Sequence, residues 1–228
     1  MKITADELMN ALRKMGCGEV DAGNSLFQDC KERPEIGLLV KGKRFGMERI
    51  EGITPETDKR IARDVTRKRR SYKVKKMPVL WLLTPGRESD TGDSRQLYLW
   101  ESEAAAANRT AEDQAWELHA KGHIRDASFF RLFGYEPDVA HERVVVNSVT
   151  EAAVVDGKPV CRTKRFLVDR KEAPIRAFLL WQSPWVAMED LTLIRDGSFA
   201  CGDRASEEEA RKAFDREVRN RQARETDS

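Results

Sequence analysis

The longest uninterrupted apolar stretches in this sequence are five residues each, VLWLL at 79–83 and AFLLW at 177–181. A run of that length suits a strand covered on both faces, whereas a membrane-crossing helix needs about 20 such residues. The chain is therefore expected to fold around short buried strands and to carry no transmembrane span. Turn signals frame these strands. Pro85-Gly86 closes the first run, and Lys41-Gly42-Lys43 separates strand-like segments at 36–40 and 44–50. Asp156-Gly157 punctuates the segments 144–149, 153–155, 159–168 and 175–181, which read as an antiparallel meander. Residues 96–100 read as one further strand, and 191–194 with 198–201 as a hairpin about Asp196-Gly197.

Helices are marked by their caps. Thr4 followed by Glu7 forms a capping box opening a helix over 4–15, with Leu8, Leu12 and Met15 on one face. Gly16, Gly18 and Gly23 then mark a loop. Thr54-Pro55 reads as the start of a helix reaching about Arg70, with Ile61 and Val65 turned inward. Residues 110–121, ended by Gly122, and 126–133 read as two shorter helices. Ser206 with Glu209 opens a last helix striped by Ala210, Phe214 and Val218, whose end at 222–228 is expected to fray. The fold class expected is α+β: an N-terminal α-β-β-α-β unit followed by an antiparallel meander with a C-terminal helix. The corresponding division is a basic α/β domain at 1–100, a helical connector at 101–143 and a meander-plus-helix part at 144–228.

Net charge is only +2, yet it is distributed unevenly. Residues 41–76 hold 14 bases against 5 acids, while 77–160 hold 8 against 14. Arg60, Arg63, Arg67 and Arg70 recur at helical spacing, and Lys73, Lys75 and Lys76 continue the positive field. Guanidinium groups present a planar fork of donors that matches phosphate oxygens, so the segment 54–76 is the candidate site for a nucleic acid, DNA or RNA. Tyr72, among these lysines, is the candidate for stacking on an unpaired base. The plainer alternative is a solvated helix face whose arginines pair with Asp58 and Asp64, or a surface for an acidic protein.

Glu35, after Pro34, and Glu48, across the hairpin in the strand-like segment at 44–50, carry a second possibility. With the surrounding helix, strand, strand, helix, strand pattern, residues 34–83 partly resemble the PD-(D/E)xK nuclease superfamily. That resemblance implies that Glu35 and Glu48 hold a divalent metal such as Mg²⁺ and serve catalysis, because hard cations take oxygen ligands and a phosphodiester needs both in-line oxygens stabilised. The chain departs from the family at the lysine two positions after the second carboxylate, where Ile50 stands. Lys43 or Lys59 would then have to take that role.

Other features point less far. Cys17, Cys30, Cys161 and Cys201 show no metal-type or framework spacing and are expected to be reduced packing residues. Asp6 and Glu7 stand where a secretory leader would be apolar, so a cytoplasmic setting is expected. His119 and His123 have the i, i+4 spacing of a zinc pair, but the sequence offers only Glu117 as a third ligand, and Gly122 lies between them. The helices at 110–121 and 126–133 invite comparison with a helix-turn-helix, but Glu112, Asp113 and Glu117 would repel a duplex. Trp185, after Pro184, is the tryptophan expected at the surface. No GxSxG, Walker A or dinucleotide fingerprint is present. The sequence thus favours a nucleic-acid-associated protein without a resident cofactor. Its alternatives are a Mg²⁺-dependent nuclease or inactive descendant of one, and a protein-binding inhibitor or assembly component. No membrane partner is expected.

Overall fold

The Thr4–Glu7 capping box forms as the sequence predicts: the Glu7 amide donates to Thr4 Oγ1 (3.2 Å) and the Thr4 amide to the Glu7 carboxylate (2.8 Å), opening helix α1 (Ala5–Lys14). In this computed structural model, which describes residues 1–22, 25–85, 95–138, 144–170, 175–193, 199–200 and 204–226, α1 is followed by β1 (Glu19–Asp21), β2 (Ile36–Val40) and β3 (Lys43–Ile50). Helix α2 (Asp58–Val74) then crosses to β4 (Val79–Leu83), which lies parallel to β3. The N-terminal unit is therefore α-β-β-β-α-β, one strand richer than expected. Three-residue β1 carries too few residues for an alternation to show.

Two of the three predicted tight turns are present among the described residues. Lys41-Gly42 and Asp156-Gly157 each hold two consecutive residues at positive φ (49° and 75°, 50° and 74°), the backbone of a type I′ hairpin. The second joins β6 (Val146–Val155) to β7 (Lys158–Arg170), and β8 (Ile175–Gln182) completes the antiparallel meander. β6 runs unbroken where two segments were expected, because its full length pairs with β7. β5 (Gln96–Leu99), β9 (Val186–Ala187) and a small pair, β10 (Thr192–Leu193) with β11 (Phe199–Ala200), complete the strands. The turn centred on Asp196-Gly197, the loop 87–94, Gly23, Gly86, Cys201 and the side chain of Ser206 lie outside the described residues.

One sheet of nine strands contains most of these, in the order β1-β2-β3-β4-β6-β7-β8-β5, with β9 on β7. β4 pairs parallel with β6, and β5 returns to pair antiparallel with β8. Strands from 1–100 and from 144–228 thus share one sheet. The remaining α-helices among the described residues are α3 (Glu101–Ala106), α4 (Ala111–Lys121), four-residue α5 (Ser128–Arg131) and α6 (Arg204–Thr226). α6 stays helical to Thr226 instead of fraying from 222; Arg221 donates to the Leu132 carbonyl and to Glu217 there.

Period-2 alternation places the sheet between two layers. On β4, Leu80 and Leu82 pack with Leu8, Leu12, Leu38 and Met47 under α1, while Trp81 and Leu83 pack with Val65, Tyr72 and Ile50 under α2. Burial on both faces accounts for the uninterrupted apolar run. A third cluster joins Trp116, Phe129, Phe130 and Phe133 to Phe178 of β8 and to Phe214 and Val218 of α6. Among the described residues no helix is long and apolar enough to cross a membrane.

Candidate functional site

Helix α2 begins at Asp58, four residues after Thr54, because Thr54-Pro55 forms a preceding turn: the Thr57 and Asp58 amides donate to the Thr54 carbonyl (3.1 and 2.9 Å). It extends past Arg70 to Val74, since Tyr72 on the last turn is buried. At about 100° per residue, Val65, Lys68 and Tyr72 face the sheet, and Arg60, Arg63, Arg67 and Arg70 fall together on the opposite arc. All four are exposed, as are Lys73, Lys75 and Lys76. Arg67 is tied to Glu32 and Asp64. Arg60, Arg63 and Arg70 make no ion pair among the described residues.

α3 lies beside α2 and is clamped by it at both ends. The buried Asp58 carboxylate accepts the Glu101 and Ser102 amides (3.0 and 2.8 Å), satisfying orphan donors at the helix N-terminus. Arg69 donates to the Ala106 and Ala107 carbonyls (both 2.8 Å) at the other end. The small side chains of 104–107 let the two helices approach. Between them opens a cleft of about 730 Å³ lined by Lys59, Ala62, Arg63, Thr66, Arg67, Arg70, Glu101 and Ala105. Through Lys59 and Glu101 it adjoins a second hollow of about 420 Å³, lined by Pro55, Asp58, Tyr98, Leu99 and Trp100. Tyr98 is 48% exposed and Trp100 40%, so two aromatic rings stand at the end of a basic groove.

Compared with known proteins, the chain matches no family model, no curated protein and no solved structure.

Tyr72 is not the stacking ring that the sequence suggested. It is 3% exposed and its hydroxyl donates to Glu48, because the i, i+4 relation to Lys68 turns both toward β3. Lys68 Nζ donates to both Glu48 oxygens (3.0 and 2.9 Å). Burial pushes the Glu48 carboxyl above the ordinary carboxylate range, against the Tyr72 and Lys68 hydrogen bonds that pull it down. Tyr72 in turn is raised, chiefly by burial and by donation to Glu48.

Glu35 lies near Glu48, whose carboxyl its charge helps to raise, but it has a partner of its own. Arg49 Nε donates to both its oxygens (3.1 and 3.0 Å), and the Arg49 amide to one (3.2 Å). Each of the two carboxylates proposed as metal ligands therefore has its own internal cation, and neither lines the groove. Ile50, at the family's lysine position, packs under α2. The lysine beside Glu48 is Lys68, in place of Lys43 or Lys59: Lys43 is exposed and Lys59 lines the groove.

The other candidates sort in the same way. α5 spans only four residues and buries Phe129 and Phe130, so it has no outward recognition face. The acids of α4 are used internally: Glu112 pairs with Arg211, Asp113 with Arg165, and Glu117 with Arg109 and Lys121. Glu117 is thereby removed as a partner for His119 and His123, which instead meet Asp215 of α6. Trp185 is half-buried beneath the Arg162 guanidinium at 4.4 Å, and Trp100 is the exposed tryptophan. Cys17, Cys30 and Cys161 are buried. The Arg60–Arg70 row was legible from spacing. Tyr98 and Trp100 were not, since only the pairing of β5 with β8 and the α2–α3 contact carry them to the groove.

Proposed function

We propose that this is a cytoplasmic nucleic-acid-binding protein that holds single-stranded DNA or RNA in the groove between α2 and α3. The observation carrying this reading is that Lys59, Arg63 and Arg70 line an open cleft, without a carboxylate partner among the described residues, beside two exposed aromatic rings. Arg60, Lys73, Lys75 and Lys76 extend the positive face on either side. Arginines along one helix face track a phosphate backbone, and exposed rings accept bases of any identity by stacking. Glu101, where the two hollows join, disfavours a phosphate at that end. The bases then lie over Tyr98 and Trp100 while the backbone follows the arginines. A duplex keeps its bases paired and offers the rings nothing, so single strands are preferred.

Fluorescence anisotropy with labelled single-stranded and duplex oligonucleotides of about 20 nucleotides tests this. The triple variant R60E/R63E/R70E is expected to abolish binding. In the wild type, affinity falls with salt by a log–log slope of about −0.7 per neutralised phosphate. Trp100→Ala is expected to weaken single-strand binding by about 1–3 kcal/mol and to leave duplex affinity unchanged. Unchanged affinity and salt slope in the triple variant would overturn the reading. Mg²⁺-dependent cleavage lost in Glu48→Gln would instead support the nuclease alternative.

A further inference from the structure

The end of α4 and the middle of α6 bring together three side chains with the donor set of a transition-metal site. His119 sits in the last turn of α4. Gly122 does not break the spacing, because it keeps right-handed helical dihedrals (φ −66°, ψ −25°) and the His123 amide donates to the Ala120 carbonyl at 2.9 Å. Both imidazoles therefore project to the same side, with ring centroids 5.6 Å apart. Asp215 of α6 meets them there: its Oδ1 lies 2.8 Å from His119 Nε2 and 2.6 Å from His123 Nε2.

We propose that His119, His123 and Asp215 bind one divalent transition-metal ion of the zinc class. The nitrogen and oxygen donors all lie within 4.8 Å of one another. Around a tetrahedral ion with bonds of about 2.0–2.1 Å, ligand atoms stand about 3.3 Å apart. Metal binding requires side-chain rotations that open the 2.8 and 2.6 Å contacts by about 0.5 and 0.7 Å. Two neutral imidazoles and one carboxylate suit borderline ions such as Zn²⁺ or Co²⁺, in contrast to Mg²⁺, which prefers oxygen and retains its water.

A second observation separates this from a simple ion pair. His123 Nε2 is hydrogen-bonded to Asp215, but the His119 Nε2, buried and close to the same oxygen, makes no hydrogen bond. A single carboxylate oxygen leaves one ring nitrogen poorly directed, and a metal ion between the three would satisfy both. Phe214 flanks both rings, at 6.0 and 6.4 Å, and Trp116 meets His119 edge-on at 6.2 Å, so one side of the site is an aromatic wall. Three protein ligands leave the fourth tetrahedral position to water or an exogenous ligand, and the ligand side chains are each about a quarter exposed (24%, 26% and 24%). The ion would staple the C-terminal helix to α4 and still have room for water or an exogenous ligand. This inference uses different elements from the α2–α3 groove and is independent of the nucleic-acid reading.

Titration of the chelator-stripped full chain with Zn²⁺ and Co²⁺ at about pH 7.5 tests it. One equivalent of Zn²⁺ is expected to bind and to raise the thermal midpoint, reversibly on chelation. Co²⁺ is expected to give the visible d–d bands of a low-coordinate nitrogen–oxygen site. His123→Gln and Asp215→Asn are each expected to weaken Zn²⁺ binding at least ~10-fold, the loss typical of disturbing even the outer shell of a metal site. Far-UV circular dichroism of both variants confirms that they fold. Absence of stoichiometric binding by the wild type, or binding unchanged in H119Q/H123Q, would overturn the proposal and leave the three residues as an ion pair alone.

Discussion

The two faces of α2 carry the same kinds of side chain and put them to opposite uses. On the inner face Lys68 is spent on Glu48 and Arg69 on the carbonyls of α3. On the outer face Arg60, Arg63 and Arg70 have no ion pair among the described residues. A cation next to a buried carboxylate is fixed by the cost of leaving that carboxylate unpaired, and it has nothing left to offer a ligand. One facing water costs little to leave unpaired, so it remains available to a polyanion. Arg67, exposed but held by Glu32 and Asp64, stands between the two. Charge counted along the sequence cannot separate these uses; the direction of each side chain does.

The largest effect expected from this contrast is on the inner face. Lys68→Met leaves Glu48, 4% exposed, without its cation, and stability measured by urea unfolding is expected to fall by about 3–5 kcal/mol. If the loss stays below ~1 kcal/mol, the Lys68–Glu48 pair does not hold α2 to β3.

Next comes a pH dependence from the same pair. The folded pKa of Glu48 is raised by burial above its unfolded value, so the folded state binds the proton more tightly. Its contribution is fully present below the ordinary carboxylate range and is lost as pH rises through the raised folded value. Stability is expected to decline across that window by up to about 1.4 kcal/mol per pH unit. Unfolding midpoints of Glu48→Gln, followed from acid toward neutral pH, are expected to lack this decline; an identical slope in both proteins would show that another group is responsible.

The smallest effect belongs to the outer face. Arg63→Gln and Arg70→Gln are expected to change stability by less than about 0.5 kcal/mol. A loss as large as that of Lys68→Met would show that the outer arginines have hidden structural partners, and the contrast would fail.

Much of the local structure was legible in the sequence. The Thr4–Glu7 box, the two type I′ turns and the five-residue apolar runs depend on neighbours within a few positions, and each formed where its signal lay. The arginine row was legible too, because helical spacing alone puts Arg60, Arg63, Arg67 and Arg70 on one arc. Tyr72 was misplaced because its neighbours in sequence are lysines, whereas its neighbour in space is Glu48, 24 residues earlier. The start of α2 was misplaced because Thr54-Pro55 satisfies a turn as readily as a helix start.

What the sequence determined by itself is the set of pieces: capped helices, strands with a dry side, and a helix face crowded with guanidinium groups. What only the tertiary structure decided is which groups meet. The return of β5 to the far edge of the sheet brings Tyr98 and Trp100 to the arginines, and α6 places Asp215 against two histidines 92 and 96 residues away. The physical reason is that caps, turns and periodicity are set by interactions within a turn or two of chain. Pairings between distant residues follow from strand order and helix docking, which depend on how all the apolar faces are buried together.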